Sequence, residues 1–201
     1  MEQKISRREQ KKIQSRSAIL RAAVTEFSRK GYQETSVADI MAEAALGIGT
    51  FYNYFTSKEE VLLQLLGGIT DELSGILGEL WAAERPVASI LEEMTLRTAE
   101  VLSRNRFVLP LFLSAAGRAG MPEAASHESS PPAFKTLFGE IVRRGQASGE
   151  FRTDIPDGVV TEMFHSMFQA AAFSSLPISF EENIRLKLRL VLDGLMAQKK
   201  A

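Results

Sequence analysis

The sequence predicts an all-α protein of about nine helices, with an N-terminal three-helix head and a C-terminal helical bundle domain. Three observations support this fold class. Apolar residues recur at helical spacing in every convincing periodic segment. Long alternating runs of β-branched residues are missing, and no Asn-Gly or Asp-Gly pair lies between two such runs as a hairpin turn would. The 201 residues are 45% hydrophobic and 24% charged, which is ordinary for a globular protein that buries a core.

The first helix is predicted from about Glu9 to Lys30. Ile19, Ala23 and Phe27 follow one another at a spacing of four residues and therefore share one face of this helix. Gly31 directly after it is a plausible C-terminal stop, because glycine adopts the backbone conformation that commonly ends a helix.

The next three helices are predicted from capping residues. Ser36 with Asp39 three residues later resembles a capping box at the start of the second helix. A short third helix covers about 47–54. Ser57 with Glu60 forms a stronger capping box for the fourth helix, because Glu is the longer partner.

The remaining chain predicts a second domain. The fourth helix contains several glycines, which indicates either close helix neighbours or a helix that bends. We place the domain boundary at its start, with a helix-turn-helix domain over 1–58 and an effector-binding and dimerisation domain over 59–201. Five further helices are predicted at about 86–104, 107–118, 131–148, 157–175 and 179–198.

The charge distribution separates a basic head from an acidic remainder. Residues 1–58 hold ten Lys and Arg against six Asp and Glu, although the whole chain has a net charge of −1. This asymmetry favours a polyanionic partner, with a solvated basic helix face as the alternative. The absence of cysteine excludes disulfides and thiolate metal sites. Because there is no apolar signal core and no run of about 18 apolar residues, we expect a cytoplasmic protein without a membrane span.

Residues 31–60 carry the strongest functional signal. They place two short helices around the tight turn Ala44-Ala45-Leu46, and another helix starts directly afterwards. This order is typical of a helix-turn-helix, whose second helix enters the major groove of DNA. Phe51 and Phe55 are the expected anchors of that helix, and double-stranded DNA is the expected partner.

Several segments resemble the DNA-binding head of the tetracycline-repressor (TetR/AcrR) family of bacterial regulators. In order and at the family's spacing they are Ile19-Leu20-x-Ala22-Ala23, Phe27, Gly31-Tyr32, Thr35-Ser36-Val37-x-Asp39-Ile40, Gly49-Thr50-Phe51-Tyr52-x-Tyr54-Phe55 and Ser57-Lys58-Glu59. The resemblance implies an all-helical homodimer whose two heads bind a pseudo-palindromic operator. It also implies a C-terminal domain that binds a small-molecule effector.

The resemblance assigns roles to eight residues of the head. It implies phosphate contacts by Thr35, Ser36, Tyr52 and Lys58. It places at or near base edges Ile48, Gly49, Thr50 and Asn53. The chain departs from the family pattern at Ala45, where the family usually has Gly, at Gly47, where it has a Ser-like cap, and at Ile48, where it often has a polar residue. The change at Ala45 implies a turn that avoids positive φ or accepts strain.

Ile48 matters most for sequence preference, because isoleucine cannot hydrogen-bond guanine but can pack on a thymine methyl group. We predict such a contact, with burial of Ile48 in the core of the head as the alternative. For Lys58 the alternative to a phosphate contact is an ordinary exposed lysine at a helix start. A basic arm precedes and enters the first helix and consists of Lys4, Arg7, Arg8, Lys11, Lys12 and Arg16. It could follow phosphates or enter a minor groove. The favoured interpretation is a partly disordered segment that attracts DNA by its charge alone.

The later helices are rich in Phe and Met. Most of these side chains are expected in the core, but a subset predicts a pocket for a small apolar or aromatic effector. The candidate lining residues are Phe107, Phe112, Phe134, Phe138, Met163, His165, Met167 and Gln169. His165 and Gln169, one helical turn apart, are the polar candidates, and a core or interface position is the alternative for His165.

The helix over 157–175 is apolar around most of its circumference, which predicts burial on several sides. Together with the final helix it predicts a homodimer through the last two helices. Effector binding would shift the fourth helix and change the separation of the two heads from about 34–36 Å. We expect a repressor that its effector releases from DNA, although the sequence alone leaves the sign of the response open.

Two other classes of function are weighed against this one. An enzyme is disfavoured, because the only histidines are His127 and His165 and no Gly-rich phosphate loop follows a strand. No cluster has metal-ligand spacing, so we expect no cofactor and no metal site. A DNA-binding regulator controlled by a protein partner, or by no ligand, is the second alternative.

Overall fold

The computed structural model describes residues 6–109 and 131–196. Over these ranges the chain forms eight α-helices and no β-strand, apart from an isolated bridge between Phe151 and Met196. The predicted all-α fold is thus confirmed for the described residues. Most of the helix predicted over 107–118 lies outside them. The helices are α1 (Arg7–Lys30), α2 (Val37–Glu43), α3 (Ile48–Phe51), α4 (Lys58–Ala82), α5 (Val87–Arg104), α6 (Pro131–Ser148), α7 (Asp157–Ala172) and α8 (Phe180–Leu195).

The chain divides into two compact units, Met1–Leu65 and Leu66–Ala201, and α4 belongs partly to each. Among the described helices, α4 alone is long and apolar enough by composition to cross a membrane, a criterion that core helices of soluble proteins also meet. A Cβ added at any of its four glycines would meet no described atom within 4 Å outside its own helix. Close packing of a described neighbour therefore does not explain these glycines, and easier bending of the helix is the interpretation that we carry forward.

In the N-terminal unit, α1 is longer than predicted. Ser6 and Glu9 form a reciprocal capping box, in which the Ser6 Oγ accepts from the Glu9 N–H at 3.2 Å and the Glu9 carboxylate accepts from the Ser6 N–H at 3.1 Å. Because this cap satisfies two backbone donors, the helix begins at Arg7. The expectation of a partly disordered basic arm is therefore wrong from Arg7 onwards, whereas Lys4 lies outside the described residues.

The core of this unit comes from one face of each helix. α1 buries Ile19, Ala23 and Phe27 on the predicted face. The other helices contribute further buried side chains: Ile40, Met41, Phe51, Phe55, Val61 and Leu62. This arrangement holds α1, the two short helices α2 and α3, and the start of α4 together, although α2 and α3 are too short to be stable alone.

The helix starts in this unit agree in part with the predicted caps. The capping box between Ser36 and Asp39 is confirmed, with both reciprocal hydrogen bonds present. At α4 the Ser57 Oγ accepts from the Glu60 N–H at 3.2 Å, but the Glu60 carboxylate accepts from the N–H of Thr56 at 2.6 Å instead of from Ser57. The predicted box is therefore only half formed, because Thr56 offers both its N–H and its hydroxyl to the same carboxylate oxygen.

In the C-terminal unit, α5 packs against α6 and α8, and α7 packs against the same two helices. The helices predicted over 157–175 and 179–198 are observed as α7 and α8, which end at Ala172 and Leu195. The connection between α6 and α7 is fixed at Glu150, whose carboxylate oxygens each accept an N–H from the first turn of α5, at 3.0 Å from both Val87 and Ala88. Phe151 beside it is buried.

Candidate nucleic-acid interface and aromatic cluster

The turn between α2 and α3 is closed by backbone hydrogen bonds. The Ala45 N–H donates to the Ala42 carbonyl at 3.1 Å, and the Leu46 N–H donates to the Met41 carbonyl at 3.0 Å. Ala45 has a φ of 54°, in the left-handed region where a Cβ costs about 1–2 kcal/mol. Of the two possibilities for the departure at Ala45, the chain therefore takes the strained turn.

Helix α3 is anchored by its back and exposed at its front. Its N-cap is Gly47, and the helix ends at Phe51, earlier than predicted, with turns continuing over 52–54. The rings of Phe51 and Phe55 are buried and lie 5.7 Å apart, as expected of anchors. The side chains that face outward from this anchored helix are thus presented to solvent in a fixed orientation.

Four of the predicted DNA-contacting residues lie on this outward surface. The side chain of Ile48 is 54% exposed and that of Tyr52 is 63% exposed, so Ile48 lies outside the core of the head. Gly49 and Asn53 are also exposed, and a Cβ added at Gly49 would meet no described atom within 4 Å. Thr50 is half-buried. We call Ile48, Gly49, Tyr52 and Asn53, with Thr50, the α3 surface.

Thr35 and Ser36, both predicted to hold phosphates, lie in different environments. Thr35 is buried, and its hydroxyl donates to the carbonyls of Gly31 at 2.8 Å and of Glu26 at 3.2 Å. Ser36 is exposed, and its hydroxyl donates to the Asp39 carboxylate at 2.7 Å. Both hydroxyl groups thus donate within the head, and the two residues differ in exposure: Ser36 is accessible to a DNA backbone, whereas Thr35 is not.

The side chain of Lys58 points inward. Its Nζ donates to the carbonyls of Tyr32 at 2.7 Å, Thr35 at 2.7 Å and Gln33 at 3.2 Å, and it lies 4.4 Å from the centre of the Tyr32 ring. An ammonium group has three N–H donors, so these carbonyls occupy all of them. Desolvation by burial lowers the pKa of Lys58, with the charge of Glu34 opposing that change. In this structure Lys58 closes the loop between α1 and α2.

A charged network that was not expected from the sequence joins α1 to α2. The Lys30 Nζ lies 2.6 Å from the Asp39 carboxylate and 3.5 Å from that of Glu26, which is only 3% exposed. The guanidinium group of Arg29 also forms an ion pair with the Glu26 carboxylate, with 2.6 Å between the nearest nitrogen and oxygen. The hydrogen bond from Lys30, followed by those from Ser36, holds the pKa of Asp39 well below its usual range. The spacing of Glu26 and Lys30, four residues apart on one helix, was the signal available in the sequence.

The predicted effector-binding residues only partly come together. Phe134 and Phe138 of α6 stack with ring centres 4.3 Å apart, and His165 of α7 meets the Phe134 ring edge-on at 5.7 Å. The ring centre of Phe168, which was not among the residues predicted for this site, lies 5.3 Å from that of Phe134. The ring centre of Phe164 lies 5.5 Å from that of Phe138. We call these five residues the aromatic cluster.

The other effector candidates lie elsewhere or outside the described residues. Phe107 and Met167 are buried, and Gln169 is half-buried on the same helix as Met167. Phe112 lies outside the described residues. Met163 is 53% exposed, and it borders a different feature from the aromatic cluster.

That feature is an apolar groove between α7 and α8, with a volume of about 270 Å³. Its lining is almost entirely aliphatic: Ile155, Val159, Val160, Met163, Leu190, Val191, Gly194 and Leu195. Leu190 is 77% exposed and Val159 is 53% exposed. Exposed aliphatic side chains gathered along two neighbouring helices are typical of a surface that another protein covers.

Comparison with known proteins agrees with these features. Residues 19–65 match the bacterial regulatory proteins of the tetR family. The chain is 24% identical over 184 residues to the HTH-type transcriptional repressor KstR2 of Rhodococcus jostii, a match that covers 90% of each protein. Its fold is similar to the structure of the ketosteroid transcriptional regulator KstR2 of Mycobacterium tuberculosis, with a TM-score of 0.71, 20% identity, and 91% and 95% of the two chains covered.

A further solved structure adds a ligand to the comparison. FadR of Thermus thermophilus, a TetR-family transcriptional repressor solved in complex with lauroyl-CoA, is 27% identical, with a TM-score of 0.59 and coverage of 92% of this chain and 97% of that one. The matched residues 19–65 contain the whole turn and the whole α3 surface described above. This chain therefore belongs to the TetR family of bacterial regulators and is a DNA-binding transcriptional regulator.

Proposed function

We propose that the chain is a homodimeric repressor that binds a pseudo-palindromic DNA operator and leaves it when a small apolar or aromatic molecule binds its C-terminal domain. The observation that carries the DNA-binding part is the α3 surface. A helix whose back is held by two buried phenylalanines presents Ile48, Thr50 and Asn53 toward the position that DNA takes in a helix-turn-helix complex.

Within this proposal the residues of the head divide into three roles. Base edges are met by Ile48, Gly49, Thr50 and Asn53. Phosphates are met by the exposed hydroxyls of Ser36 and Tyr52. Thr35, which is buried, and Lys58, whose ammonium group donates to three carbonyls of the head, position α2 and the start of α4 instead of touching phosphate directly.

The domain roles follow from the same arrangement. Residues 1–58 would bind DNA, and residues 59–201 would bind the effector and form the homodimer. The aromatic cluster supports an apolar or aromatic effector, because stacked and edge-on rings prefer apolar and planar ligands. The lauroyl-CoA complex of Thermus thermophilus FadR supports a long acyl chain as the first ligand class to test.

Dimerisation would use the groove between α7 and α8. Its aliphatic lining on the last two helices suits a four-helix contact across a two-fold axis, in which the same patch of both copies is buried. Two heads held in this way would meet two half-sites about one turn of DNA apart. Bending of α4 on effector binding would then alter their separation, and a coupling of about 1–3 kcal/mol is enough for regulation.

The test begins with selection of a bound duplex from a random DNA pool by the full-length protein. A repressor should enrich one inverted repeat, and footprinting should protect both half-sites. The selected complex is then titrated with acyl-CoA thioesters of increasing chain length, free fatty acids, steroids and planar aromatic compounds. Release by one class supports the proposal. Enrichment without release by any compound would favour regulation by a protein partner or by no ligand, and failure to enrich any duplex would overturn the DNA-binding proposal.

A further inference from the structure

The first turns of α1 present a basic face that none of the roles above uses. Arg8, Lys11 and Lys12 are exposed, and with Ser15 they follow the spacing of one helix face. The capping box at Ser6 holds these turns in helical form. The three cations are therefore displayed on an ordered surface instead of on a flexible arm.

This face forms one wall of a groove whose other wall includes Thr50 and Asn53 of the α3 surface. The groove has a volume of about 840 Å³. The α1 wall consists of Arg8, Glu9, Lys11, Lys12 and Ser15. The opposite wall consists of Leu46, Thr50, Asn53 and Tyr54. Two of these opposite residues, Thr50 and Asn53, are candidates for base contacts, so the cations border the same space as the predicted base-reading side chains.

The cations of this wall differ from the next basic residue along α1. Arg16 is engaged within the head, because its guanidinium donates to the side-chain oxygen of Gln64 and lies 5.3 Å from the centre of the Phe55 ring. By contrast, Arg8, Lys11 and Lys12 make no hydrogen bond or ion pair with the residues that the structure describes. Arg16 thus fastens α1 to the head, while the cations one and two turns earlier point into the groove.

The electrostatic balance of the groove favours an anion. Glu9 is the one carboxylate among its lining residues, against three cations. The hydrogen bonds with Ser6 lower the pKa of Glu9 and keep it ionised, so the lining retains an excess of two positive charges, and one Glu9 oxygen is engaged by the Ser6 N–H. Cations four residues apart on a helix are separated by about 6 Å along its axis. Long, flexible cationic side chains separated in this way can each meet a different phosphate group of one DNA strand.

We propose that Arg8, Lys11 and Lys12 form a phosphate-binding wall that holds the DNA backbone beside the bases contacted by α3. The inference rests on the proposed function, and it adds a second DNA-contacting element outside the helix-turn-helix. Because phosphates carry no sequence information, this wall sets affinity and register, while base preference stays with the α3 surface.

The test compares salt dependence on the duplex that the full-length parent protein selects from the random pool. In the Lys11→Gln/Lys12→Gln variant, the slope of log affinity against log salt should fall in magnitude by about 0.9 for each phosphate group that the variant no longer neutralises. A dimer with two heads would therefore show a slope smaller by about 3–4. Base preference on single-position variants of the duplex should remain that of the parent, and Lys11→Arg/Lys12→Arg should retain the parent slope.

Two control variants separate a built wall from general charge. Arg21→Gln removes a cation from another side of α1, since position 21 is six residues beyond Ser15 at about 100° per residue. Arg97→Gln/Lys135→Gln removes two exposed cations from α5 and α6. Both should keep the parent slope. An unchanged slope in Lys11→Gln/Lys12→Gln, or an equal reduction in the controls, would overturn the wall while leaving the proposed function intact. Failure of the parent to select any duplex would instead count against the proposed function.

Discussion

The ammonium group of Lys58 donates a hydrogen bond of 2.7 Å to the carbonyl of Thr35. This bond joins the start of α4 to the residue directly before the N-cap of α2. Since the Thr35 hydroxyl is bonded to the end of α1 and the loop after it, Lys58 and Thr35 together fix how α2 follows α1. A lysine that the family resemblance places on phosphate is thus, in this structure, part of the support for the DNA-facing helices.

We predict that Lys58→Met lowers the stability of the head by about 1–3 kcal/mol, because three carbonyl groups are deprived of their charged donor. DNA affinity should fall equally for all sequences, as the α3 surface is less well supported. Thermal unfolding and the salt dependence of binding check this expectation together. If the variant keeps the parental stability and its slope of log affinity against log salt falls by about 0.9 per head, Lys58 contacts a phosphate instead.

The contrast between Ser36 and Lys58 explains how far the sequence could predict the site. The capping box at Ser36 involves residues three apart, so the sequence contains all of its information. The partners of Lys58 are carbonyls more than twenty residues away, and no local pattern records them. The all-α fold and the buried face of α1 were also predictable, because helical periodicity is a local pattern. Which side of α7 faces the aromatic cluster depends instead on packing with α6. The sequence therefore could not show that His165 lies in the cluster whereas Met163 lies outside it.

Ile48 is predicted to recognise a thymine methyl group. Its exposed side chain offers apolar contact without hydrogen bonds, so Ile48→Ala should reduce the preference at one T-containing step by about 1 kcal/mol, roughly fivefold. Replacement of that thymine by uracil removes only the methyl group. Uracil should weaken binding of the parent and leave Ile48→Ala unaffected. Equal sensitivity of both proteins to uracil at every thymine would rule out this contact.

The ring of Phe151 occupies the space in which a Cβ at Gly145 would lie. Gly145→Ala should therefore destabilise the C-terminal unit by about 1–3 kcal/mol, despite the better helix propensity of alanine. Gly78→Ala is the matched control, since a Cβ there meets no described atom and should stabilise α4 by up to about 1 kcal/mol. Urea unfolding at neutral pH measures both changes. A stabilising effect of Gly145→Ala would mean that Phe151 packs differently in solution.

Glu150 should make the stability of the C-terminal unit depend on pH. Burial raises the pKa of Glu150, but the hydrogen bonds from Ala88, Val87 and Ser148 lower it by more, so its pKa in the folded protein lies below the ordinary value. A carboxylate with a lowered folded pKa contributes stability above its unfolded pKa of about 4.3, and that stability is lost as the pH falls through the folded pKa.

The Glu150→Gln variant measures this contribution. At pH about 7 it should be less stable than the parent by about 1 kcal/mol, the usual effect of removing a helix cap. The difference between the two proteins should shrink as the pH is lowered through about 4 and below, because the parent carboxylate then becomes neutral as well. Urea unfolding at a series of pH values provides the data. A difference that stays constant down to strongly acidic pH would mean that the charge of Glu150 does not stabilise α5.

Met163 distinguishes the proposed dimer contact from an effector pocket. Its side chain is 53% exposed and borders the groove between α7 and α8, away from the aromatic cluster. If this groove is the two-fold contact, Met163→Asp buries a carboxylate in each copy and should convert the dimer to a monomer at micromolar concentration, with loss of operator binding. Glu162→Gln, a change at the exposed neighbouring position outside the groove, should remain a dimer. Sedimentation velocity of the three proteins gives the oligomeric state, and titration of the selected duplex gives the binding. If Met163→Asp stays dimeric, binds DNA normally and no longer responds to the effector, Met163 is an effector-binding residue. The dimer contact would then lie on another surface.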